Sequence, residues 1–199
     1  MRRFWELGGF VAGAVLVVFG AVAIYMGVTG FNTVSDSLKD EQITFGTTDD
    51  PAVAAHAAQY AGQQVANGDQ ARAFALVMRT HTLEATNGLT YSQMGRYKAT
   101  TAKGGDGLGG TNDTAKAVTD PVTGQPVSNS RRYLWVTETA LTTALNMSYM
   151  AEQLSIFGMV VGIALLLTGI GLLVVTFAVF AREPESEKAR KIAPRPATG

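Results

Sequence analysis

Two histidines and a glutamate are the residues best suited to chemistry. His56, His81 and Glu84 are the side-chain types of a two-histidine, one-carboxylate iron site. His81 and Glu84 stand three apart, so on a helix they share a face. His56, however, lies on a different predicted helix at no diagnostic spacing, and such a site needs more supporting partners than this stretch offers. An imidazolium in the last turn of a helix is favoured by the helix dipole without any metal. The expectation is therefore structural, with no metal and no cofactor.

The other candidate motifs are weaker. Gly105, Gly107 and Gly110 spell G-x-G-x-x-G. That pattern holds a dinucleotide only between a strand and a helix N-terminus, and here it falls in a predicted loop. Asn112-Asp113-Thr114 and Asn146-Met147-Ser148 match the N-glycosylation triplet, a frequent chance match. The chain has no cysteine, which excludes disulfides, zinc–thiolate sites and thiol catalysis. Its formal net charge is zero, so no basic field attracts nucleic acid. No nucleophile, base and orienting group converge in the sequence, and an enzyme is not expected.

The elements that would position these residues are dominated by two apolar runs. No charged residue occurs from Leu7 to Ser35, or from Gln153 to Ala181. Each run exceeds the roughly 20 residues that cross a bilayer as a helix. The first is too long for a signal-peptide core and reads as an uncleaved anchor. Arg2 and Arg3 precede it, while Arg182, Lys188, Arg190, Lys191 and Arg195 follow the second. Basic flanks stay cytoplasmic, so both termini are expected inside and the central segment outside the plasma membrane. Phe4, Trp5, Tyr25, Phe31, Tyr149, Phe157, Phe177 and Phe180 suit the two interfaces.

The resulting organisation is a cytoplasmic N-terminus (1–7), a first span (8–31), an extracytoplasmic helical domain (32–152), a second span (153–181) and a disordered cytoplasmic tail (182–199). The fold class is an all-α membrane protein: an antiparallel two-helix transmembrane hairpin with a small extracytoplasmic helical domain. Within that domain the stretch before Asp49 reads as polar and irregular, with a short extended piece at Ile43-Thr44-Phe45. Asp50-Pro51 begins a helix expected to reach Ala66. Asn67-Gly68-Asp69 reads as a stop and restart, with the next helix from Gln70 to about Thr86. Phe74, Met78, Thr82 and Ala85 form its packing face. Residues 97–128, rich in glycine and proline, read as a flexible loop. A continuous helix is expected from Ser130 to Phe180, about 75 Å long at 1.5 Å per residue. Its outer part would be a stalk presenting Leu134, Leu141, Ala144, Leu145 and Ser148 to the shorter helices.

The spans carry a regular small-residue pattern. Gly9, Gly13, Gly20 and Gly27 are spaced 4, 7, 7, as are Gly158, Gly162, Gly169 and Thr176. Small residues let helix backbones approach in lipid, where no hydrophobic drive brings helices together. The simplest use is pairing of the two spans. No ionisable residue lies within either run, which argues against a channel or pump acting alone.

The stretch "HTLEATNGLTYSQM" resembles a recurring His-x-Leu-Glu-Ala-x-Gly-Gly-x-Thr-Tyr-Ala segment of small, uncharacterised two-span membrane proteins of actinobacteria. "TALTTALNMSYMAEQLSIFGMVVGIALLLTGIGLLV" is similar to the second half of the same family. Asn87 stands where the family has glycine, and asparagine also tolerates the left-handed conformation. The resemblance implies a two-span fold and an actinobacterial plasma membrane. Some members are labelled aromatic ring-opening dioxygenases, an activity that His56, His81 and Glu84 do not support. The function expected is a non-enzymatic integral membrane accessory protein. Its partners would be the lipid bilayer and another membrane protein or complex, such as an envelope or respiratory assembly. Arg79, His81, Glu84 and Tyr91 would face the partner. An extracytoplasmic ligand or stress sensor is the alternative.

Overall fold

The computed structural model describes residues 2–100 and 109–180. The anchor side chains at Phe4, Trp5 and Phe180, the glycines Gly105 and Gly107, and the tail 182–199 fall outside the described residues. All regular elements among those described are helical: α1 (Arg2–Asp40), α2 (Pro51–His56), α3 (Gly68–Ala85) and α4 (Ser130–Phe180), with short 3-10 turns at Ala58–Tyr60, Tyr91–Gln93 and Thr114–Lys116. The chain divides into two compact units, a terminal one (Met1–Thr29 with Ser155–Gly199) and a central one (Gly30–Leu154).

In the terminal unit α1 and α4 run antiparallel against each other, Gly9 beside Thr176 at one end and Gly27 beside Met159 at the other. Both helices are long and apolar enough to cross a membrane. Their large apolar side chains are mostly exposed, among them Val18, Phe19, Leu167 and Val174.

The central unit begins with the continuation of α1. The polar stretch after Asn32 is helical to Asp40 rather than irregular. Val34 and Leu38 lie four apart and face the core, Leu38 being only 4 % exposed. Extending an existing helix avoids the nucleation cost, so a polar stretch with one apolar face suffices. Ser35 Oγ donates to the Ala66 carbonyl at 2.9 Å, and Gln64 Nε2 donates to the Lys39 carbonyl at 2.8 Å.

The extended piece at Ile43–Phe45 pairs with Gln63–Val65 through an isolated antiparallel bridge, Thr44 to Gln64. Phe45 N–H donates to Gln63 O, and Val65 N–H to Ile43 O. This pairing shortens the first small helix. Asp50 caps α2 as the sequence suggests, accepting from Ala52 N–H at 2.9 Å, but α2 ends at His56 instead of Ala66. Gly62, at φ +71°, makes the turn that returns the chain to Phe45. Phe45 then packs edge-on against Phe74 of α3, with ring centroids 5.3 Å apart.

Asn67, not Asp69, caps α3: its side chain accepts from Gln70 N–H at 2.9 Å. The helix therefore starts at Gly68. It ends at Ala85, after which Asn87 and Gly88 both take positive φ and Gly88 N–H donates to the Leu83 carbonyl at 2.7 Å.

The described part of the expected loop is held by pairing. Tyr97 bridges both Thr111 and Ser128, Ala99 bridges Ala117, and Thr119 bridges Pro126. The breakers mark the turns of this network: Gly110 and Gly124 have positive φ, and Asp120 accepts from the N–H groups of Val122 and Thr123. The latter two bonds, Thr123 first, hold the Asp120 carboxyl below its ordinary range. Close backbone approach requires glycine at position 95, where a Cβ would overlap the Thr111 backbone.

Candidate functional site

The central unit's distinctive chemistry lies along the seam between α3 and α4. At one end Gly68, the first residue of α3, approaches α4 so closely that a Cβ would stand 2.9 Å from Tyr149 Cα. The approach lets buried Glu152 accept from the Gly68 N–H at 2.8 Å. A carboxylate at a helix N-terminus satisfies an orphan donor and complements the dipole. One turn on, the Arg72 guanidinium lies 4.9 Å from the Tyr149 ring centroid. Two turns further, Arg79 lies 4.6 Å from the Trp135 ring centroid and 3.1 Å from Glu138 Oε2. Glu138 is 2 % exposed, and its Oε1 is buried without a hydrogen-bond partner among the described residues.

This seam corrects one expectation. Of the stalk residues expected to meet the shorter helices Leu145 is buried, but Leu134, Leu141 and Ala144 are exposed, and Glu138, Thr142 and Glu152 share the buried face. Arg79 turns toward α4 with 35 % of its side chain still exposed. A buried carboxylate needs a cation or several donors, and Arg79 supplies the cation, which fixes the rotation of α4. Glu138 and Glu152 were missed from the sequence although a signal exists. They are the only acidic residues between Asp120 and Glu183, and they sit 14 apart, close to four helical turns.

The remaining motif residues separate. His81 pairs with Asp50, the cap of α2, with Nε2 to Oδ2 at 2.9 Å and to Oδ1 at 3.1 Å. The pair holds the Asp50 carboxyl below its ordinary range, the His81 hydrogen bond contributing most and the Ala52 N–H adding to it. Glu84 is exposed. His56 lies in the last turn of α2, and among the described residues no three of the His, Cys, Asp and Glu side chains assemble as a metal set. Tyr91 reaches α4 through its ring instead of its hydroxyl, with the Arg132 guanidinium 4.0 Å from the centroid.

Beside that stack lies an open cavity of about 270 Å³, bounded by Tyr91, Arg96, Tyr97, Ser128, Arg132, Tyr133 and Val136. The backbone at Gly95 and Arg96 is held by pairing. Asn129 N–H donates to Arg96 O at 2.9 Å, and Asn129 Nδ2 donates to Gly95 O at 3.1 Å.

In the terminal unit a Cβ built at each of Gly9, Gly13, Gly20, Gly27, Gly162 and Gly169 would come within 2.5–2.8 Å of the opposite helix. Gly13 meets the Gly169 carbonyl, Gly20 the Gly162 carbonyl and Gly27 the Ser155 carbonyl, so these contacts repeat every seven residues on both helices. Gly9 meets Thr176. Gly158 stands apart, its nearest contact 3.9 Å away at Ala23 O, and Ser155 occupies the register that the sequence pattern gave to Gly158. Seven residues are close to two full helical turns, so a seven-residue repeat on antiparallel helices keeps one seam facing the partner.

No family model, curated protein or solved structure matches this chain.

Proposed function

We propose that this chain is a non-enzymatic integral protein of the plasma membrane, related to the actinobacterial two-span proteins that its His81–Met94 stretch resembles. Its terminal unit forms an antiparallel transmembrane hairpin with both ends cytoplasmic. Its central unit stands outside as a small helical domain. It works as an accessory protein that binds or stabilises a larger envelope or respiratory membrane assembly.

The membrane assignment is supported by exposure. Only 11 % of the apolar window in α1 and 17 % of that in α4 is buried within the protein, far too little for core helices of a water-soluble fold. Such surface needs lipid or another apolar cover.

The accessory role is carried by one observation, an apolar stripe along the central-unit part of α4. Tyr133, Val136, Met147, Met150 and Leu154 are 50–69 % exposed, and with Ala140 and Thr143 they recur at steps of three and four. This is the spacing by which one helix receives another. Arg132 adjoins the stripe at Tyr133, but from Ala140 to Leu154 the flanking positions Thr137, Thr139, Ala144, Asn146, Ala151 and Gln153 carry no charge, so along that length the occupant is an uncharged apolar helix face of a neighbouring membrane protein.

The test is the particle size in mild detergent of the native chain and of a Met147→Lys, Met150→Lys variant. The native chain should migrate with a larger assembly, and the variant should be released as the 21.0 kDa chain with unchanged helix content. A native monomer, or a larger particle containing only this chain, contradicts the accessory role.

A further inference from the structure

We propose that the cavity between the Tyr91–Gln93 turn and the first turns of α4 binds a phosphate-type oxyanion carried on a short polar body. The observations concern charge, geometry and size.

Arg96 and Arg132 both line the cavity, and none of the described residues bounding it is acidic. Nearby Glu138 is already paired with Arg79. Arg131 and Arg132 add positive charge at the start of α4, where the helix dipole has the same sign. In a chain of zero net charge this is a local cationic pocket.

The arginine geometry suits an oxyanion. Arg132 lays its guanidinium face on Tyr91 at 4.0 Å and directs Nη1 toward the Met94 carbonyl at 3.4 Å. Stacking uses the π face and the Met94 bond uses one Nη1 proton, which leaves the edge formed by Nε–H and Nη2 for two oxygens. The stack also reduces the rotamer freedom lost on binding. Tyr97, Tyr133 and Ser128 line the same space with hydroxyls that can donate to oxygen. Tyr97 is fixed by its backbone bridges to Thr111 and Ser128, so this wall is formed before any ligand arrives.

Size narrows the class. A volume of about 270 Å³ holds roughly nine waters at about 30 Å³ each. A phosphomonoester of about ten non-hydrogen atoms is of that order. Glycerol phosphate has the right size and charge, and the same chemistry occurs free and as a lipid headgroup.

The experiment is calorimetric titration of the full-length protein in neutral detergent with glycerol phosphate, with glycerol as the uncharged control. The expected result is saturable binding of glycerol phosphate and none of glycerol. Arg132→Gln and, independently, Arg96→Gln should weaken binding at least tenfold. Arg96 is exposed, so its variant retains the fold and keeps the test decisive if Arg132→Gln unfolds. Competition by phosphatidylglycerol nanodiscs, but not by phosphatidylcholine nanodiscs, supports a lipid-headgroup source. Saturable binding without such competition supports a soluble phosphoester. Absence of binding, or binding that both variants leave unchanged, overturns the proposal.

Discussion

The two parts of α4 bury residues of opposite character. Between Ser130 and Leu154 the helix buries Glu138, Thr142, Leu145 and Glu152; between Ser155 and Phe180 it buries Gly162, Gly169 and Thr176. In the first part long side chains reach outward to meet α3, and specificity comes from a paired carboxylate and a helix cap. In the second the side chains are nearly removed, and specificity comes from how closely two backbones approach. The difference matches the two surroundings proposed here. In water a polar seam persists when a partner offsets the hydration its charged groups lose on folding, as Arg79 does for Glu138. In lipid, apolar bulk gives no preference for one helix neighbour over the tails, so close van der Waals contact must provide it.

The sharpest way to break this comparison is to put bulk into the glycine seam. A Cβ at Gly20 already falls 2.6 Å from Leu166 N, and one at Gly162 falls 2.8 Å from Gly20 O. Gly20→Leu with Gly162→Leu should abolish recovery of folded protein, as should Gly13→Leu with Gly162→Leu. Gly8 and Gly171 have nothing within 4 Å of a built Cβ, so Gly8→Leu with Gly171→Leu should recover normally. Yield by fluorescence-detected size exclusion checks both. Equal yields would mean that the seam does not hold the pair.

An intermediate effect is expected in the polar seam. Glu138→Ala removes one partner of a buried pair and strands Arg79, at a cost of about 3 kcal/mol. Arg79 keeps 35 % side-chain exposure and can recover part of its hydration, which places the effect toward the lower end of such cases. Replacing both partners, Glu138→Met with Arg79→Met, should cost less than Glu138→Ala alone. Thermal unfolding followed by circular dichroism measures the ordering. The reverse order would show that the charge pair itself, rather than its completeness, stabilises the seam.

The smallest effect is expected at the surface pair of Asp50 and His81. Asp50's folded pKa lies below its ordinary 3.8, so its stabilising contribution is complete above that value and is lost as pH falls through the lowered folded one. Asp50→Asn keeps a competent helix cap and removes only the charge. It should lower Tm slightly at pH 6, and the difference should shrink as pH falls below 3.8. A constant difference across that range would assign the effect to packing.

Much of this architecture was legible locally. The bounds of α4 follow from an apolar run and an uninterrupted polar extension, and Asn129 Oδ1 caps its start by accepting from Arg131 N–H at 3.2 Å. The Asn87-Gly88 stop and the Asp50 cap depend on residues adjacent in sequence, which is why they could be read there. What escaped the reading depends on partners far along the chain. The expected continuation of α2 to Ala66 yields to pairing between Ile43–Phe45 and Gln63–Val65, and Gly62 gains its meaning only from that pairing. The glycines and prolines after Gly109 looked like disorder because their pairing partners at Tyr97 and Ala99 lie 14 to 31 residues away. Among the motif residues, Arg79, His81 and Tyr91 were recognisable as special, but not their targets Glu138, Asp50 and Arg132. Hydrophobicity places Leu134, Leu141 and Leu145 inward on α4, whereas of these only Leu145 is buried, beside Glu138 and Thr142.

The central proposal is that Gly30–Leu154 lies outside the membrane and both termini inside it. The absence of native cysteine makes this directly measurable with single substitutions. Ser92→Cys and Ser186→Cys variants, expressed in intact cells, are treated with a membrane-impermeant maleimide before and after permeabilisation. The account predicts that position 92 is labelled at once and position 186 only after permeabilisation. Labelling of position 186 in intact cells, with position 92 protected, would contradict it.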